Sequence, residues 1–291
     1  MHDIHDHEHN HHGHGHEHIH AHGHPQQHHH DCEAQGHNHG IVHGYGYAGK
    51  RVLVLRPYTG ISGDIMVAGL ARMLNADQAI LDSHIASLGI PELVGSLSVV
   101  SHSLHKVGGW QCRVTLSHEH SHRTLTDIVT IIEDTFLTDT AKALAVKAFT
   151  IIAGAEGAVH DMDVNAVTFH EVGALDSILD VCLAASLFDA LKPDLFVCGP
   201  LPVCDGTVRC AHGKLPVPAP AVMRLLHGVP VHGIMAQGET LTPTGVGLLK
   251  AFDASFGSWP AMTLETEALI YGTRVFDNVP NGAIFALGSG L

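Results

Sequence analysis

Positive charge is what this sequence has least of. Lysine and arginine number 15 in 291 residues, against 29 aspartates and glutamates, giving a formal net charge of −14. Phosphate backbones are held by clustered Lys and Arg, so this balance argues against a nucleic-acid partner; it suits a chain that attracts cations. No apolar run approaches the ~20 residues that a bilayer span needs. The start, Met1-His2-Asp3, lacks the apolar stretch of a secretory leader. The six cysteines (32, 112, 182, 198, 204, 210) form no C-x-x-C pair, which favours reduced thiols over a disulfide framework. A cytoplasmic protein with no membrane partner is expected.

Histidine, in contrast, is abundant and unevenly placed. Of 29 histidines, 17 fall in the first 40 residues, where no Lys or Arg precedes Lys50. The recurring unit is His-x-His, as from His14 to His24. Apolar content there is too low to offset the entropy of ordering, so residues 1–49 are expected to form a disordered tail. Imidazole suits nickel, copper, zinc and cobalt, and a flexible chain gathers several rings round one ion. Residues 50–291 read as a separate α/β body with 45% apolar residues across the chain to fill a core.

Within that body, Phe169-His170-Glu171-Val172-Gly173-Ala174-Leu175-Asp176-Ser177-Ile178-Leu179-Asp180 concentrates one imidazole and three carboxylates. Asp176 stands where an N-cap belongs, ahead of a helix predicted over Ser177–Leu191 with apolar residues around most of its surface. Asp180 is then a carboxylate on a helix without a wet side, at a cost of several kcal/mol unless a cation or donor meets it. Two readings stay open. In one, Asp176 is a cap, Asp180 pairs with an arginine and His170 is a loop histidine. In the other, the segment is a metal or acid–base site.

Other groups could converge on it. Glu156 and His160 stand four apart near the end of a helix predicted over Thr140–His160, and so share a face. His118, His120 and His122 alternate in a loop after a hairpin. Cys210 and His212 lie two apart, beside Arg209 and Lys214, in a Gly/Pro-rich stretch from Gly199 to Pro220. Arg51–Leu55 reads as a strand running through Gly60, Ser62, Gly63 and Asp64 into a helix. It is not a Walker A loop, because no Lys-Ser/Thr follows the second glycine. Free N–H groups at such a helix start can cradle an anion, and Thr242, Thr244 and Gly245 offer a second such start. Capping and turn formation would explain either one equally well. Alternating strands and helices, with closing strands between Thr263 and Leu291, predict a mixed α/β fold.

Pro57-Tyr-Thr-Gly-Ile-Ser-Gly-Asp64, Phe169 to Asp180, Gly206-Thr-Val-Arg-Cys-Ala-His-Gly213, Pro216-Val-Pro-Ala-Pro220 and Thr242-Pro-Thr-Gly245, in this order, resemble the LarC family across residues 51–291. Its members insert Ni²⁺ into pyridinium-3,5-bisthiocarboxylic acid mononucleotide, the pincer cofactor of lactate racemase, and consume CTP. The resemblance implies a nickel-inserting enzyme of the lyase class, with the pyridinium mononucleotide as substrate and a homo-oligomeric assembly. His160, His170, Glu171, Asp176, His212, His118, His120 and His122 would hold or pass the metal. Asp64, Glu171 or Asp180 would accept the ring proton. Gly60, Ser62, Gly63, Arg209, Thr242, Thr244 and Gly245 would bind the phosphate.

Two departures stand out. Arg56 occupies a position where the family carries Asp, removing a carboxylate beside the glycine loop. The sequence also stops at Gly288-Ser-Gly-Leu291, about where the family's C-terminal portion, to which the CTP site is ascribed, would begin; a separate polypeptide carrying that portion is an expected partner. The competing function is nickel storage or delivery through the histidine tail. A metal-dependent phosphoester hydrolase is a third reading.

Overall fold

The computed structural model describes residues 46–116, 122–169, 172–210 and 213–291. The tail up to residue 45, and with it His118, His120, His170, Glu171 and His212, lie outside the described residues.

The first strand shows why the body is layered. In β1 (Arg51–Pro57) every residue after Arg51 is buried, and side chains alternate between faces. Leu53 and Leu55 join the main core with the helices, whereas Val52 and Val54 join a small cluster with Val197 and Ala286. The helices therefore gather on the Leu53/Leu55 face.

After β1 come α1 (Gly63–Met73), α2 (Gln78–Ala86), and a hairpin of β2 (Leu97–Leu104) and β3 (Val107–Val114), turned at His105 and Lys106, both with positive φ. Next are β4 (Arg123–Thr124), α3 (Leu125–Glu133), α4 (Asp139–His160), β5 (Thr168–Phe169) and α5 (Leu175–Leu191). Then follow β6 (Leu195–Cys198), β7 (Leu201–Asp205), β8 (Thr207–Cys210), β9 (Gly213–Pro216), α6 (Pro220–Leu225) and β10 (Val231–Gln237). The chain closes with α7 (Pro243–Ala251), β11 (Ser255–Phe256), β12 (Met262–Tyr271) and β13 (Ala283–Gly290).

Among the described residues, a seven-stranded mixed sheet runs β11-β6-β1-β13-β12-β3-β2. β1 is parallel to β6 and antiparallel to β13, with Leu55 opposite both Cys198 and Phe285. The expected mixed α/β class is the observed one. Phe285 is fully buried, and burying a side chain of that size contributes roughly 3 kcal/mol.

Several local expectations hold in kind with shifted ends. The helix predicted over Thr140–His160 is α4, which starts one residue earlier and is capped by Thr138; Thr124 caps α3 in a capping box with Asp127. By length and composition α4 could cross a membrane, yet here its buried residues, among them Phe149 and Ile152, belong to the core. Two readings are corrected. The cap of α5 is Ala174, and Asp176 lies inside the first turn, its Oδ1 accepting from the Ser177 N–H at 2.7 Å. The Gly199–Pro220 stretch, read as irregular beyond Cys198, carries β7 and the β8–β9 hairpin.

Candidate functional site

A cavity of about 460 Å³ opens where α4, α5, α7 and the β8–β9 hairpin meet. Its wall collects side chains far apart in sequence: Glu156 and His160 from the end of α4, Asp176 and Ser177 from the first turn of α5, Arg209 and Cys210 from β8, and Thr242 and Thr244 from the start of α7. Phe169 and Val172 line it as well. The volume lies in the range of small-ligand sites.

The polar groups divide by charge. Glu156 Oε2 and His160 Nε2 are 3.7 Å apart, with about a third of the His160 side chain exposed. As expected, the end of α4 meets the segment that runs into α5. Arg209 supplies positive charge, and Thr242 and Thr244 mark a helix N-terminus, where the backbone dipole favours anions. The Thr242 Oγ1 accepts from the Gly245 N–H at 3.1 Å and lies 2.9 Å from the Thr244 Oγ1.

The approach to α5 is held from a distance. β4 pairs with β5, Arg123 opposite Phe169. The Arg123 guanidinium Nη1 donates to the Gly173 carbonyl at 2.6 Å. This pairing sets the segment following His122 beside the strand that ends at Phe169.

The first glycine loop has a different role. The Ile61 N–H donates to the Thr240 carbonyl at 3.0 Å, and the Ile61 carbonyl accepts from the Thr242 N–H at 3.2 Å. Gly60 abuts Thr240 directly. A Cβ on Gly245 would lie 2.5 Å from the Ile61 carbonyl oxygen, and one on Gly63 would lie 2.5 Å from the Asp180 Oδ2. Gly60, Gly63 and Gly245 thus allow the starts of α1 and α7 and the body of α5 to touch, and the loop is filled by protein backbone. Neither Ser62 nor these glycines line the cavity.

Behind this junction sit two carboxyls. Ser62 Oγ donates to Asp64 Oδ1. Asp180 Oδ1 is out of solvent with no hydrogen-bond partner among the described residues, although some of the residue's surface remains accessible. Burial pushes the Asp64 carboxyl up, opposed by the Ser62 hydroxyl. Burial, then the charges of Asp64 and Asp176, raise that of Asp180 well above the usual carboxylate range. Asp180 stands one turn deeper than Asp176 on the same face of α5. The arginine partner that one reading gave Asp180 is not found among the described residues. Nearby, burial and the same two aspartates push up the Cys112 thiol.

Of the residues singled out by sequence, His160, Asp176, Arg209, Thr242 and Thr244 share the cavity, and Asp64 and Asp180 are not among its lining residues. Among the described residues no group of three or more His, Cys, Asp or Glu side chains is arranged to hold a metal ion. Sequence reading missed Glu239, Ser177 and the positioning contact from Arg123; Glu239 sits just ahead of the Thr240-Leu241-Thr242 run, its nearest sequence signal.

The model of the nickel insertion protein family matches residues 53–288. A relative from Acetivibrio thermocellus, named pyridinium-3,5-bisthiocarboxylic acid mononucleotide nickel insertion protein, is 36% identical over 235 residues, covering 77% of this chain and 57% of the relative. A relative from Geotalea uraniireducens that also carries a nickel-insertion name is 37% identical over 238 residues, 82% of this chain and 61% of its own length. The chain thus spans about three-fifths of the length of these relatives. No solved structure matches it. With a family match running from β1 to β13 across all the elements that build the cavity, the chain belongs to the nickel insertion protein family.

Proposed function

We propose that the cavity binds pyridinium-3,5-bisthiocarboxylic acid mononucleotide and Ni²⁺ and is where nickel enters that molecule on the way to the lactate racemase cofactor. The observation that carries this reading is one 460 Å³ space whose lining brings a guanidinium and a helix start (Arg209, Thr242, Thr244) together with carboxylates and an imidazole (Glu156, Asp176, Glu239, His160). Arg209 and the Thr242–Thr244 turn take the nucleotide phosphate, by charge-assisted hydrogen bonds and the helix dipole. Glu156, His160 and Asp176 hold nickel in transit, nickel being substrate here. Cys210 adds a softer ligand on the same wall. His170, Glu171 and His212 flank cavity residues in the sequence and in this reading extend the nickel-holding set, with the His118–His122 cluster passing the ion inward.

Chemically, the thiocarboxylate sulfurs bind nickel and the pyridinium ring carbon exchanges its proton for the metal. The C–H electron pair becomes the Ni–C bond, so a base must take one proton. Asp176, on the wall, is placed to take it. Asp180, a turn deeper, is held toward its neutral form by burial and accepts a proton only after giving up its own. Asp64 and Glu171 are the remaining candidates for proton transfer. The CTP-consuming step belongs, in this reading, to the portion the relatives have beyond the match.

Binding of the free pyridinium mononucleotide, followed calorimetrically, tests the assignment. Arg209→Ala is expected to weaken it about 10- to 100-fold, the worth of one charge-assisted contact. Equal affinity in the variant would remove the phosphate from the cavity.

A further inference from the structure

On the face of the sheet turned away from the helices lies a second polar feature. Arg56 continues the Val52/Val54 side of β1 by strand alternation. Only 9% of it is exposed. Its Nη1 donates to the Gly257 carbonyl at 2.6 Å, while Nε and Nη2 are out of solvent and without a hydrogen-bond partner among the described residues. A guanidinium does not shed its proton in a protein, so burial cannot be relieved by neutralisation. Buried donors left unmet cost more than an ordinary hydrogen bond contributes.

Those two nitrogens share one edge of the guanidinium, and their N–H bonds run side by side. That edge matches the paired oxygens of a carboxylate or a phosphate. Trp259 lies against the guanidinium, with the Arg56 Cζ 5.1 Å from its ring centroid, and is itself 49% exposed. Tyr58, 41% exposed, follows the end of the same strand. Close packing fixes the other side, since a Cβ on Gly199 would lie 2.9 Å from Nη1. Backbone at Gly199 and Gly257 therefore packs against the guanidinium, and a half-exposed aromatic ring stands against it.

We propose that Arg56 and Trp259 form an oxyanion-binding site, in which a carboxylate or phosphate group takes the Nε–Nη2 edge and Trp259 swings out and closes over it. This site is on the opposite side of the sheet from the cavity and does not depend on the function assigned there.

The test uses the full chain, titrated with acetate and with inorganic phosphate at constant ionic strength set by sodium chloride. Thermal melting is one readout. Trp259 emission is the second, in a Trp110→Phe background, because Trp110 is the other tryptophan and lies under Arg72 at 3.8 Å. A saturable rise in Tm of about 5 °C is expected at an oxyanion concentration ~100-fold above its Kd, with a saturable change in emission. Which of the two anions acts at lower concentration tells whether the natural ligand is a carboxylate or a phosphate. Arg56→Met is expected to abolish both responses. Arg56→Lys keeps the charge without the paired edge and should weaken them at least tenfold; it carries the comparison if the methionine variant fails to fold. A wild-type response no larger than that to chloride, or one unchanged in these variants, would overturn the proposal.

Discussion

Two helix starts in this protein have similar sequences and different surroundings. Ile61-Ser62-Gly63-Asp64 enters α1, and Leu241-Thr242-Pro243-Thr244-Gly245 enters α7. Both have a hydroxyl at the cap and a glycine close by, and both suit an anion by composition. At α1 the surrounding backbone is spent on Thr240 and Thr242, and Asp180 sits against Gly63. At α7 the threonines face a cavity that also holds Arg209. A glycine in such a loop reports that something approaches closely; at Gly60, Gly63 and Gly245 it is another segment of the chain, 117 or more residues away in sequence.

Substitutions can break this comparison. The largest effect is expected from Gly245→Ala, whose Cβ would meet the Ile61 carbonyl and Ser62 nitrogen, backbone atoms with little freedom to yield. A loss of about 3 kcal/mol of stability in denaturant melts is expected, at the upper end for overpacking. A neutral result would mean that the two helix starts are not in contact. Next comes Arg209→Ala, with its loss of mononucleotide affinity and no comparable loss of stability, since Arg209 lies on the cavity wall rather than in the core. Thr242→Ala removes the hydroxyl that accepts from Gly245 and should cost about 1 kcal/mol. The Ser62 hydroxyl is turned to Asp64 instead of capping α1, so Ser62→Ala should cost the helix start less.

The smallest effect at mildly acidic pH is expected from Asp180→Asn, and it grows with alkalinity. The folded-state pKa of Asp180 is raised. Its contribution to stability is therefore full below the ordinary carboxylate pKa and is lost as pH rises through the folded value, where the unfolded chain ionises and the folded one resists. Asparagine removes that slope. Melting curves across pH 4 to 9 should converge at the acid end, with the variant more stable at the alkaline end; parallel curves would show that Asp180 is not held neutral by burial.

Much of this was legible in the sequence. Continuous apolar character gave β1, helical spacing gave α5, and the i, i+4 pair of Glu156 and His160 was readable as one face. The membership in a nickel-inserting family rested on ordered motifs, and the family match agrees. What failed was local chemistry overruled from afar. Asp176 has the side chain of a cap, yet the helix begins at Leu175 with Ala174 as its cap, and the Arg123 guanidinium holds the preceding Gly173 carbonyl from fifty residues away. The Gly/Pro pattern between Gly199 and Pro220 hid β7 and a hairpin, because Pro202 and Pro216 sit in short strands of two-stranded sheets, where a missing N–H is tolerated. The grouping of Arg209, Thr242 and His160 around one space is a product of tertiary packing, and no spacing rule connects them.

The central claim is that the folded body, apart from the histidine tail, holds nickel at the carboxylates and imidazole of the cavity. Calorimetric titration with Ni²⁺ of the protein lacking residues 1–49 tests it most directly, compared with the same protein carrying Glu156→Gln and His160→Ala. A saturable nickel site in the body, weakened about tenfold or more by the double substitution, is the predicted result. A tail-less protein with no measurable nickel affinity, or one whose affinity the two substitutions leave unchanged, would contradict it.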